Sequence, residues 1–309
     1  MQIIEEICPI VIAGPTASGK SSTAIQLAHG FKKLGIDSEI INADSVQVYH
    51  DLKKLTAYPS SEDMSEVPHN LYGFLNANEK ISVADWKILA DKKIDELLYE
   101  KKVPIICGGT GFYINALLNS FAEIPDIPAE FRKAVQQKFE KDGREKFFQD
   151  LVKLDPKIVD ILHPNNTQRI LRAYEVVAFT KIPLSNWWKE PQAKGRECLS
   201  IVILPPRNIL IEQIRKRAEM MINNGAIDEV SSFLKIYPDY VGPLDKVIGF
   251  NEIKLFLNGA INKSELSELM TIKTRQYAKR QSTWFRHQLS DAIFIQNSSE
   301  IEKVKELHC

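Results

Sequence analysis

Short apolar segments alternate with segments of helical pattern in the first third of the chain. Residues 8–13, 38–43 and 103–107 are apolar runs with the length of buried strands. Between the first two runs, residues 20–34 have the pattern of a helix. Strands that alternate with helices are typical of a parallel sheet with helices on both faces, so this part of the chain is predicted to be an α/β core.

The pattern changes after a proline-rich break at residues 124–128. From residue 129 to about 180 the sequence predicts helices with no strand between them, and residues 183–195 lack a regular pattern. A strand at 199–204 and a helix at 209–223 then resume the alternation. We therefore predict a core interrupted by a helical insertion, in three segments: residues 1–123 (first part of the core), 124–196 (insertion) and 197–309 (second part of the core with C-terminal helices).

Composition narrows the class of protein. The 309 residues are 44% hydrophobic and 26% charged, which is ordinary for a globular protein and excludes a disordered or fibrous one. Lys and Arg together number 40, as do Asp and Glu, so a uniformly basic nucleic-acid-binding protein is excluded, although a local basic face is not. The sequence has no export signal, no apolar run of about 18 residues and no close pair of cysteines. We therefore expect a cytoplasmic protein with reduced thiols and no membrane contact.

One segment has a specific chemical meaning. Residues 14–21 fit the phosphate-loop pattern G-x-x-x-x-G-K-[ST], and they lie between a predicted strand and a predicted helix, as the motif requires. In such a loop, backbone N–H groups and the helix N-terminus surround an anion, the lysine reaches the terminal oxygens and the hydroxyl binds Mg²⁺. The fold is thus predicted to be a P-loop NTPase-like core, with a phosphorylated ligand held by Gly14, Pro15, Thr16, Ala17, Ser18, Gly19, Lys20 and Ser21.

Two further segments follow predicted core strands. The second strand ends at Asp44, which could hold Mg²⁺ through water, act as a base toward a second substrate, or cap a turn. The third strand ends in Gly108-Gly-Thr-Gly111, where glycines permit either close approach to a ligand or a tight turn, and Thr110 offers a hydroxyl. The residues alone leave these alternatives open.

A basic segment lies near the C-terminal end of the sequence. Residues 271–290 include no acidic residue and five basic ones: Lys273, Arg275, Lys279, Arg280 and Arg286. On a helix, Arg275, Lys279 and Arg286 share one face, and Tyr277 and Trp284 fall on the opposite face. Such a stripe suits contact with a phosphate backbone or a diphosphate, and the alternative is a solvated basic surface.

Taken together, these segments resemble the tRNA dimethylallyltransferase family, whose members are also called tRNA isopentenyltransferases. Five stretches carry the resemblance in family order: residues 14–21, 44–49, 108–113, 166–172 and 274–284. The last, Thr-Arg-Gln-Tyr-Ala-Lys-Arg-Gln-Ser-Thr-Trp, is the most specific, because unrelated phosphate-loop proteins have no reason to share it. No zinc-finger pattern follows it, which is typical of the bacterial type.

The resemblance implies a prenyl transfer. The donor is dimethylallyl diphosphate, and the acceptor is the N6 amine of adenosine 37 in tRNAs that read codons beginning with U. By correspondence with the family motifs, Asp44 is the general base and Thr110 lies beside the reacting centre. Lys20 and Arg217 neutralise the diphosphate, together with Mg²⁺ bound by Ser21. The implied partners are the tRNA anticodon stem-loop and the donor, with the protein acting as a monomer.

The family's tRNA contacts can be carried over in the same way. They fall in the turns after the second and third strands, in the insertion, in a segment after residue 245 and in the basic segment. The implied contacts are Asp44, Ser45, Val46, Gln47, Thr110, Arg132, Gln168, Arg169, Ile170, Leu171, Arg172, Lys246, Val247, Ile248, Gly249, Phe250, Asn251, Arg275, Lys279 and Arg280.

Three positions depart from the family pattern. Tyr58 stands where a lysine is usual, Asn70 stands in the usual histidine pair, and Asn251 stands where an arginine is usual. None belongs to the implied donor site, so any effect is expected on tRNA recognition.

Three other functions compete with this interpretation. An adenylate isopentenyltransferase would act on free AMP, ADP or ATP, but it needs neither a helical insertion nor the 274–284 stretch. A small-molecule kinase would use ATP at the same loop, and residues 44–47 and 274–284 argue against it. A non-catalytic RNA-binding module would not need Lys20, Ser21 and Asp44 together.

Overall fold

The computed structural model describes residues 7–119, 122, 124–188 and 195–304. Six strands in these ranges form one parallel sheet in the order β3-β2-β4-β1-β5-β6. They are β1 (Ile10–Ala13), β2 (Ser38–Asn42), β3 (His69–Asn70), β4 (Val103–Gly108), β5 (Leu199–Ile203) and β6 (Ile293–Ile295). Because β1 lies between β4 and β5, the loop after it emerges in the middle of the carboxyl edge of the sheet.

Helices connect and follow these strands. In the described ranges they are α1 (Lys20–Lys33), α2 (Lys53–Thr56), α3 (Ser61–Glu66), α4 (Val83–Tyr99), α5 (Gly111–Asn119), α6 (Ala129–Leu154), α7 (Thr167–Thr180), α8 (Leu184–Trp187), α9 (Arg207–Asn223), α10 (Ala226–Ile236), α11 (Phe250–Leu257) and α12 (Lys263–Gln288). Short 3₁₀ segments cover Pro156–Asp160, Pro243–Lys246 and Ser298–Val304. Gly143 interrupts α6 with a φ of 75°.

Both faces of the sheet are buried, as the strand patterns require. Successive side chains of a strand point to opposite faces. On one face Val11 belongs to a core that includes Trp86 of α4, and on the other Ile12 packs in a core with Ala24 and Leu27 of α1. A strand buried on both faces is apolar at every position, which explains the unbroken apolar runs in the sequence.

The chain divides into two compact units. The first comprises Met1–Leu118 and Arg196–Cys309, and the second comprises Asn119–Gly195. The second unit is helical in its described part and has its own core, in which Phe147 of α6 lies 4.5 Å from Tyr174 of α7, ring centre to ring centre. Buried Asp155 accepts hydrogen bonds from the Ser185 N–H (2.9 Å) and hydroxyl (2.5 Å), and so fixes α8.

The predicted parallel α/β sheet with helices is confirmed. The strands β3 and β6 were not predicted, because edge strands of two and three residues leave no pattern in a sequence. Cys107 and Cys198 carry free thiols, but Cys8 is disulfide-bonded, which corrects the expectation that all four cysteines are reduced. In the described residues, no helix is both long enough and apolar enough to span a membrane.

Candidate active site

The phosphate loop occupies the turn between β1 and α1. Ala17 and Gly19 have positive φ values of 64° and 89°, which curl the backbone ahead of the helix N-terminus. Gly14 has no room for a side chain, because a Cβ there would lie 2.6 Å from the Ser18 hydroxyl and 2.7 Å from the Ile203 carbonyl oxygen. The Ser18 hydroxyl is buried and has no hydrogen-bond partner among the described residues. A loop with this backbone and an unsatisfied donor suits an anion with several oxygens.

Two cations lie beside this loop. Lys20, the first residue of α1, is buried, and its Nζ is 3.5 Å from the Pro15 carbonyl oxygen. Burial lowers the pKa of Lys20, the negative charge of Asp44 opposes this shift and the positive charge of Arg217 adds to it. Burial also lowers the pKa of Arg217, again with Asp44 in opposition. Buried Lys20 and half-buried Arg217, with the single carboxylate of Asp44, leave an excess of positive charge that a bound phosphate group would neutralise.

Asp44 is held in a defined position after β2. The Asn42 side chain accepts a hydrogen bond from the Asp44 N–H (2.8 Å) and donates one to the Asp44 carbonyl oxygen (3.1 Å). The Asp44 Oδ1 accepts from the Val46 N–H at 3.1 Å. One oxygen of the Asp44 carboxylate therefore caps a turn. Asp44 also lines a large cavity, and its carboxylate has a second oxygen that the cap does not use. The alternatives of capping and function are not exclusive at this residue.

Thr110 connects the loop after β4 to the Asp44 turn. Its hydroxyl oxygen accepts a hydrogen bond from the Ser45 N–H (2.9 Å) and donates to the Ser45 hydroxyl (3.2 Å). Its own N–H donates to the Ala43 carbonyl oxygen (3.1 Å). Thr110 thus supports the residues next to Asp44 through its side chain and its backbone.

The glycines of residues 108–111 are required by packing. A Cβ on Gly108 would lie 2.1 Å from the Ala43 carbonyl group, and one on Gly109 would lie 2.6 Å from Nε2 of Gln281. One on Gly111 would lie 2.5 Å from the Trp284 ring. The loop therefore lies directly against the end of β2 on one side and against α12 on the other. From the sequence alone, glycines required by such packing cannot be distinguished from glycines required by contact with a ligand.

Gly108→Ala is expected to destabilise the protein by at least about 2 kcal/mol, because the atoms that the new methyl group meets belong to the backbone and cannot rotate away. Urea unfolding followed by circular dichroism measures this. Gly35→Ala is the control, since Gly35 has a φ of 78° but no atom within 4 Å of a Cβ. The control should cost only about 1 kcal/mol of backbone strain. Equal losses in the two variants would contradict the steric explanation.

A cavity of about 810 Å³ brings part of the predicted site together, but Lys20, Ser21 and Thr110 are not among its lining residues. Its lining combines two carboxylates, those of Asp44 and Asp245, and several cations with many apolar side chains. Nine of the predicted site residues line it: Thr16, Asp44, Ser45, Val46, Arg217, Lys246, Val247, Ile248 and Arg280. A mixed lining of this kind suits a ligand with both a charged and an apolar part.

Some cavity residues were not predicted. Tyr277 of α12 lines the cavity; burial raises the pKa of its phenol, the negative charge of Asp44 adds to the shift, and Arg280 opposes it. The Arg280 guanidinium lies 5.9 Å from the centre of the Tyr277 ring. The sequence placed Tyr277 on the face of the helix opposite the basic stripe. That position indicated that Tyr277 packs inward, but not that it lines a cavity.

The basic segment forms the exposed side of α12. Arg275, Lys279 and Arg280 are exposed, and no ion pair joins them to another residue in the described part of the chain. Lys273 differs, because its ammonium group pairs with the buried carboxylate of Glu252. Lys273 is therefore not a free cation, and fewer than the five basic residues of the segment are available to a ligand.

Several implied tRNA contacts have other roles. Ile170 and Phe250 are fully buried in hydrophobic cores, so only their backbones could contact RNA. The side-chain amide of Gln47 donates to the carbonyl oxygens of Thr56 (3.1 Å) and Ala57 (2.8 Å), and so supports the end of α2.

The implied contacts in the helical unit are placed as follows. Gln168 and Arg169 are exposed in the first turn of α7. Arg132 is exposed and pairs with Asp126 at 3.0 Å. Arg172 is half-buried and pairs with Glu175 at 3.4 Å, and Leu171 packs against the core of this unit. The first turn of α7 therefore presents the polar residues best placed for an external ligand.

The three departures from the family pattern are accommodated by local contacts. Tyr58 covers Gly73, and the Lys53 ammonium group lies 4.9 Å from the centre of its ring. Asn70 donates to the Glu39 carboxylate at 3.0 Å, and Asn251 donates to the Asp245 carbonyl oxygen at 2.7 Å. Each residue contributes to local structure outside the phosphate loop.

The residues available to a metal are few. In the described ranges, no group of three or more His, Cys, Asp or Glu could hold an ion. The strand β4 ends near Cys107 instead of an acid, and burial raises the pKa of that thiol to about 11, so it remains neutral. Ser21 and Asp44 are the oxygen donors beside the loop. This set suits an Mg²⁺ ion bound chiefly by ligand phosphate oxygens and water, because Mg²⁺ commonly needs only one or two protein ligands.

The fold and the site together define a class of protein. A phosphate loop at the centre of a parallel sheet, with Lys20, Arg217 and Asp44 beside a large cavity, is typical of a P-loop enzyme that acts on a phosphorylated substrate. Comparison with known proteins then identifies the family. The family model for IPP transferases matches residues 47–288.

Individual relatives support the same family. A tRNA dimethylallyltransferase of Pelagibacter ubique is 46% identical over 288 residues, which cover 93% of this chain and 90% of the relative. Another, of Rhodospirillum rubrum, is 40% identical over 284 residues, or 91% and 85% of the two chains. The chain therefore belongs to the tRNA dimethylallyltransferase family, and it is an enzyme.

Solved structures have the same fold. The tRNA isopentenylpyrophosphate transferase of Bacillus halodurans matches with a TM-score of 0.67 and 29% identity, covering 97% of this chain and 94% of that one. A eukaryotic dimethylallyltransferase acting on tRNA matches with a TM-score of 0.83 and 25% identity, covering 97% and 76%.

Proposed function

We propose that this enzyme transfers a dimethylallyl group from dimethylallyl diphosphate to the N6 amine of adenosine 37 in tRNAs that read codons beginning with U. One observation carries the proposal: Asp44, Arg217 and Arg280, from three distant segments, line one cavity beside the phosphate loop. Family membership supports the reaction type, and relatives named tRNA dimethylallyltransferases support the acceptor.

The diphosphate would be bound by the loop N–H groups, Lys20 and Arg217. In the transfer, the bond between C1 of the prenyl group and the bridging oxygen breaks, and a bond between N6 and C1 forms. The leaving diphosphate gains negative charge, which Lys20 and Arg217 would stabilise more strongly than water does. Because these groups are fixed before the reaction, little reorganisation is needed when the charge develops.

The proton of the attacking amine would pass to Asp44. An adenine amine is a weak nucleophile, so a base contributes mainly as positive charge develops on N6. The hydrogen bond that the Asp44 N–H donates to Asn42 and the one that the Asp44 carboxylate accepts from the Val46 N–H hold the carboxylate at the cavity wall. The amine proton leaves as the N6–C1 bond forms, and Asp44 then releases it to solvent.

Mg²⁺ is proposed as the cofactor. Ser21 would bind it at the phosphate loop, with the remaining ligands supplied by diphosphate oxygens and water. When bound, it adds positive charge to the leaving group.

The RNA would approach the exposed side of α12. Adenosine 37 must leave its stack to reach a cavity, which costs a few kcal/mol and is easier in a loop than in a duplex. Arg275, Lys279 and Arg280 offer unpaired positive charge for the phosphate backbone, and we propose Gln168 and Arg169 of α7 as further contacts.

Labelled dimethylallyl diphosphate distinguishes the candidate functions. The enzyme is incubated with the labelled donor and either unmodified tRNA or AMP, and a parallel sample receives ATP labelled at the γ-phosphate. We expect label from the prenyl donor in tRNA only, and no phosphoryl transfer. Label in AMP would indicate an adenylate isopentenyltransferase, and phosphoryl transfer would indicate a kinase; either result would refute the proposal.

Replacing both Arg275 and Lys279 with Ala should weaken tRNA binding and reduce the salt dependence of binding by about two phosphate contacts. Filter binding at several salt concentrations measures the slope. The control is Lys263→Ala together with Lys254→Ala, which removes two cations from elsewhere in the C-terminal part of the same unit. An unchanged slope for Arg275 and Lys279 would show that the stripe is only a solvated surface.

A further inference from the structure

A single amide side chain joins two loops of the donor site. Gln281 lies on α12 among exposed basic residues, but it is 93% buried, with a relative exposure of 7%. Its Oε1 accepts a hydrogen bond from the Thr16 N–H at 2.9 Å. Its Nε2 donates to the Gly109 carbonyl oxygen at 2.8 Å. Gln281 thus connects the loop after β1 with the loop after β4.

The surrounding packing leaves little freedom to this amide. A Cβ on Gly109 would lie 2.6 Å from Nε2 of Gln281 and 3.6 Å from Nζ of Lys20. One turn further along α12, the Trp284 ring lies against Gly111 in the same way. The amide group is planar, so its oxygen and nitrogen have a fixed separation. The two hydrogen bonds of Gln281 therefore set the distance between the loop after β1 and the loop after β4.

Gln281 contacts the phosphate loop at Thr16. Thr16 lies two residues before Ser18, whose buried hydroxyl has no partner among the described residues. The N–H groups of such a loop bind an anion only if the backbone keeps their directions. A fixed Thr16 therefore keeps the following N–H groups aimed at the site of the diphosphate.

We propose that Gln281 is a positioning residue, which holds the phosphate loop in the conformation that binds the donor diphosphate. This inference rests on the proposed function, because it takes that loop as the donor site. Gln281 does not touch the reacting atoms in this arrangement; it acts through Thr16 and Gly109. The helix that offers cations to RNA on its exposed side therefore also holds the donor loop on its buried side.

Gln281→Met keeps the length of the side chain and removes both hydrogen bonds. The part-buried Thr16 N–H and the buried Gly109 carbonyl oxygen would then lose their partner, and the loop would shift to satisfy them. We expect inorganic diphosphate to bind about tenfold more weakly, and the KM for dimethylallyl diphosphate to rise by a similar factor. The KM for tRNA should remain within about twofold, because the basic side of α12 is unchanged.

Gly109→Ala provides a second, independent variant. Its methyl group would displace the Gln281 amide, and Gly109 does not have a positive φ that would strain an alanine. We expect the same loss of diphosphate affinity. The double variant Gly109→Ala, Gln281→Met should be no worse than either single one, because both disrupt the same contact.

Isothermal titration of the full chain with inorganic diphosphate and Mg²⁺ tests these expectations. Phe285→Leu is the control for loss of packing, since Phe285 is a fully buried residue of α12 that contacts neither loop by hydrogen bonds. It should lower the stability of the protein and keep its affinity for diphosphate. Lys20→Met serves as the reference for the donor site itself.

The outcomes separate the two proposals. If Lys20→Met binds diphosphate normally, the donor site is wrong. If Lys20→Met loses binding while Gln281→Met and Gly109→Ala keep it, only the role of Gln281 is refuted. Tighter binding by Gln281→Met would also refute that role, since it would show that the amide competes with the diphosphate for the Thr16 N–H. Weaker binding by both variants, with Phe285→Leu unaffected, supports the inference.

Discussion

Asp44→Asn is expected to lower kcat about 10²- to 10⁴-fold, the usual effect of removing a general base. Asparagine has the size of aspartate and can still accept the hydrogen bond from the Val46 N–H, but it cannot take the proton of the amine. Because proton transfer matters only as the amine attacks, the affinities for tRNA and for the donor should be nearly preserved. Single-turnover kinetics with saturating donor and tRNA measure the effect on the chemical step.

A control variant and a Mg²⁺ titration test whether Asp44 is a base or a metal ligand. Asp37, just before β2, lies at the other end of the same strand and is exposed, so Asp37→Asn should retain normal turnover. If Asp44 instead holds Mg²⁺ through water, Asp44→Asn should weaken donor binding, and added Mg²⁺ should partly restore the rate. Restoration by metal would defeat the assignment of Asp44 as a base.

Lys20→Met should reduce kcat/KM for the donor by about 10²-fold or more, because it removes a fixed positive charge from the leaving group. The same change should make the protein without ligand more resistant to urea. Burial lowers the pKa of Lys20, which means that the folded state disfavours its charge, and methionine fills the space without that charge. Opposite effects on activity and stability would be the signature of an electrostatic role.

Lys32→Ala is the matched control for this variant. Lys32 is exposed in the last turn of the same helix, α1, far along the chain from the phosphate loop. It should leave both kcat/KM and the urea midpoint nearly unchanged. Normal turnover by Lys20→Met at low donor concentration would remove the basis for placing the diphosphate at this loop.

The phosphate loop and the core strands could be predicted because their signals are local. The loop motif is contiguous, and strands buried on both faces are continuous apolar runs that differ from the periodic helices between them. The basic stripe on α12 was visible for the same reason, since its residues recur at helical spacing. Its two faces were also assigned correctly: Tyr277 is half-buried, and Arg275 is exposed.

Other parts of the site could not be predicted, because they depend on contacts between distant segments. The hydrogen bond between Thr16 and Gln281 joins residues 265 positions apart, and nothing in either segment indicates its partner. The same is true of Gly108. The structure shows that packing against Ala43 requires a glycine there, but the sequence cannot distinguish this requirement from close approach to a ligand. Carrying over family contacts by motif also includes residues such as Ile170, whose side chain is buried in a core.

The central claim is that the prenyl group is transferred to one particular adenosine. The most direct measurement is mass spectrometry of a tRNA anticodon stem-loop after reaction with dimethylallyl diphosphate, followed by nuclease digestion to locate the added mass. We predict one added dimethylallyl group, on adenosine 37, and none on a stem-loop in which inosine replaces that adenosine and so removes the N6 amine. Modification at another nucleotide, or of the inosine-containing stem-loop, would contradict the account.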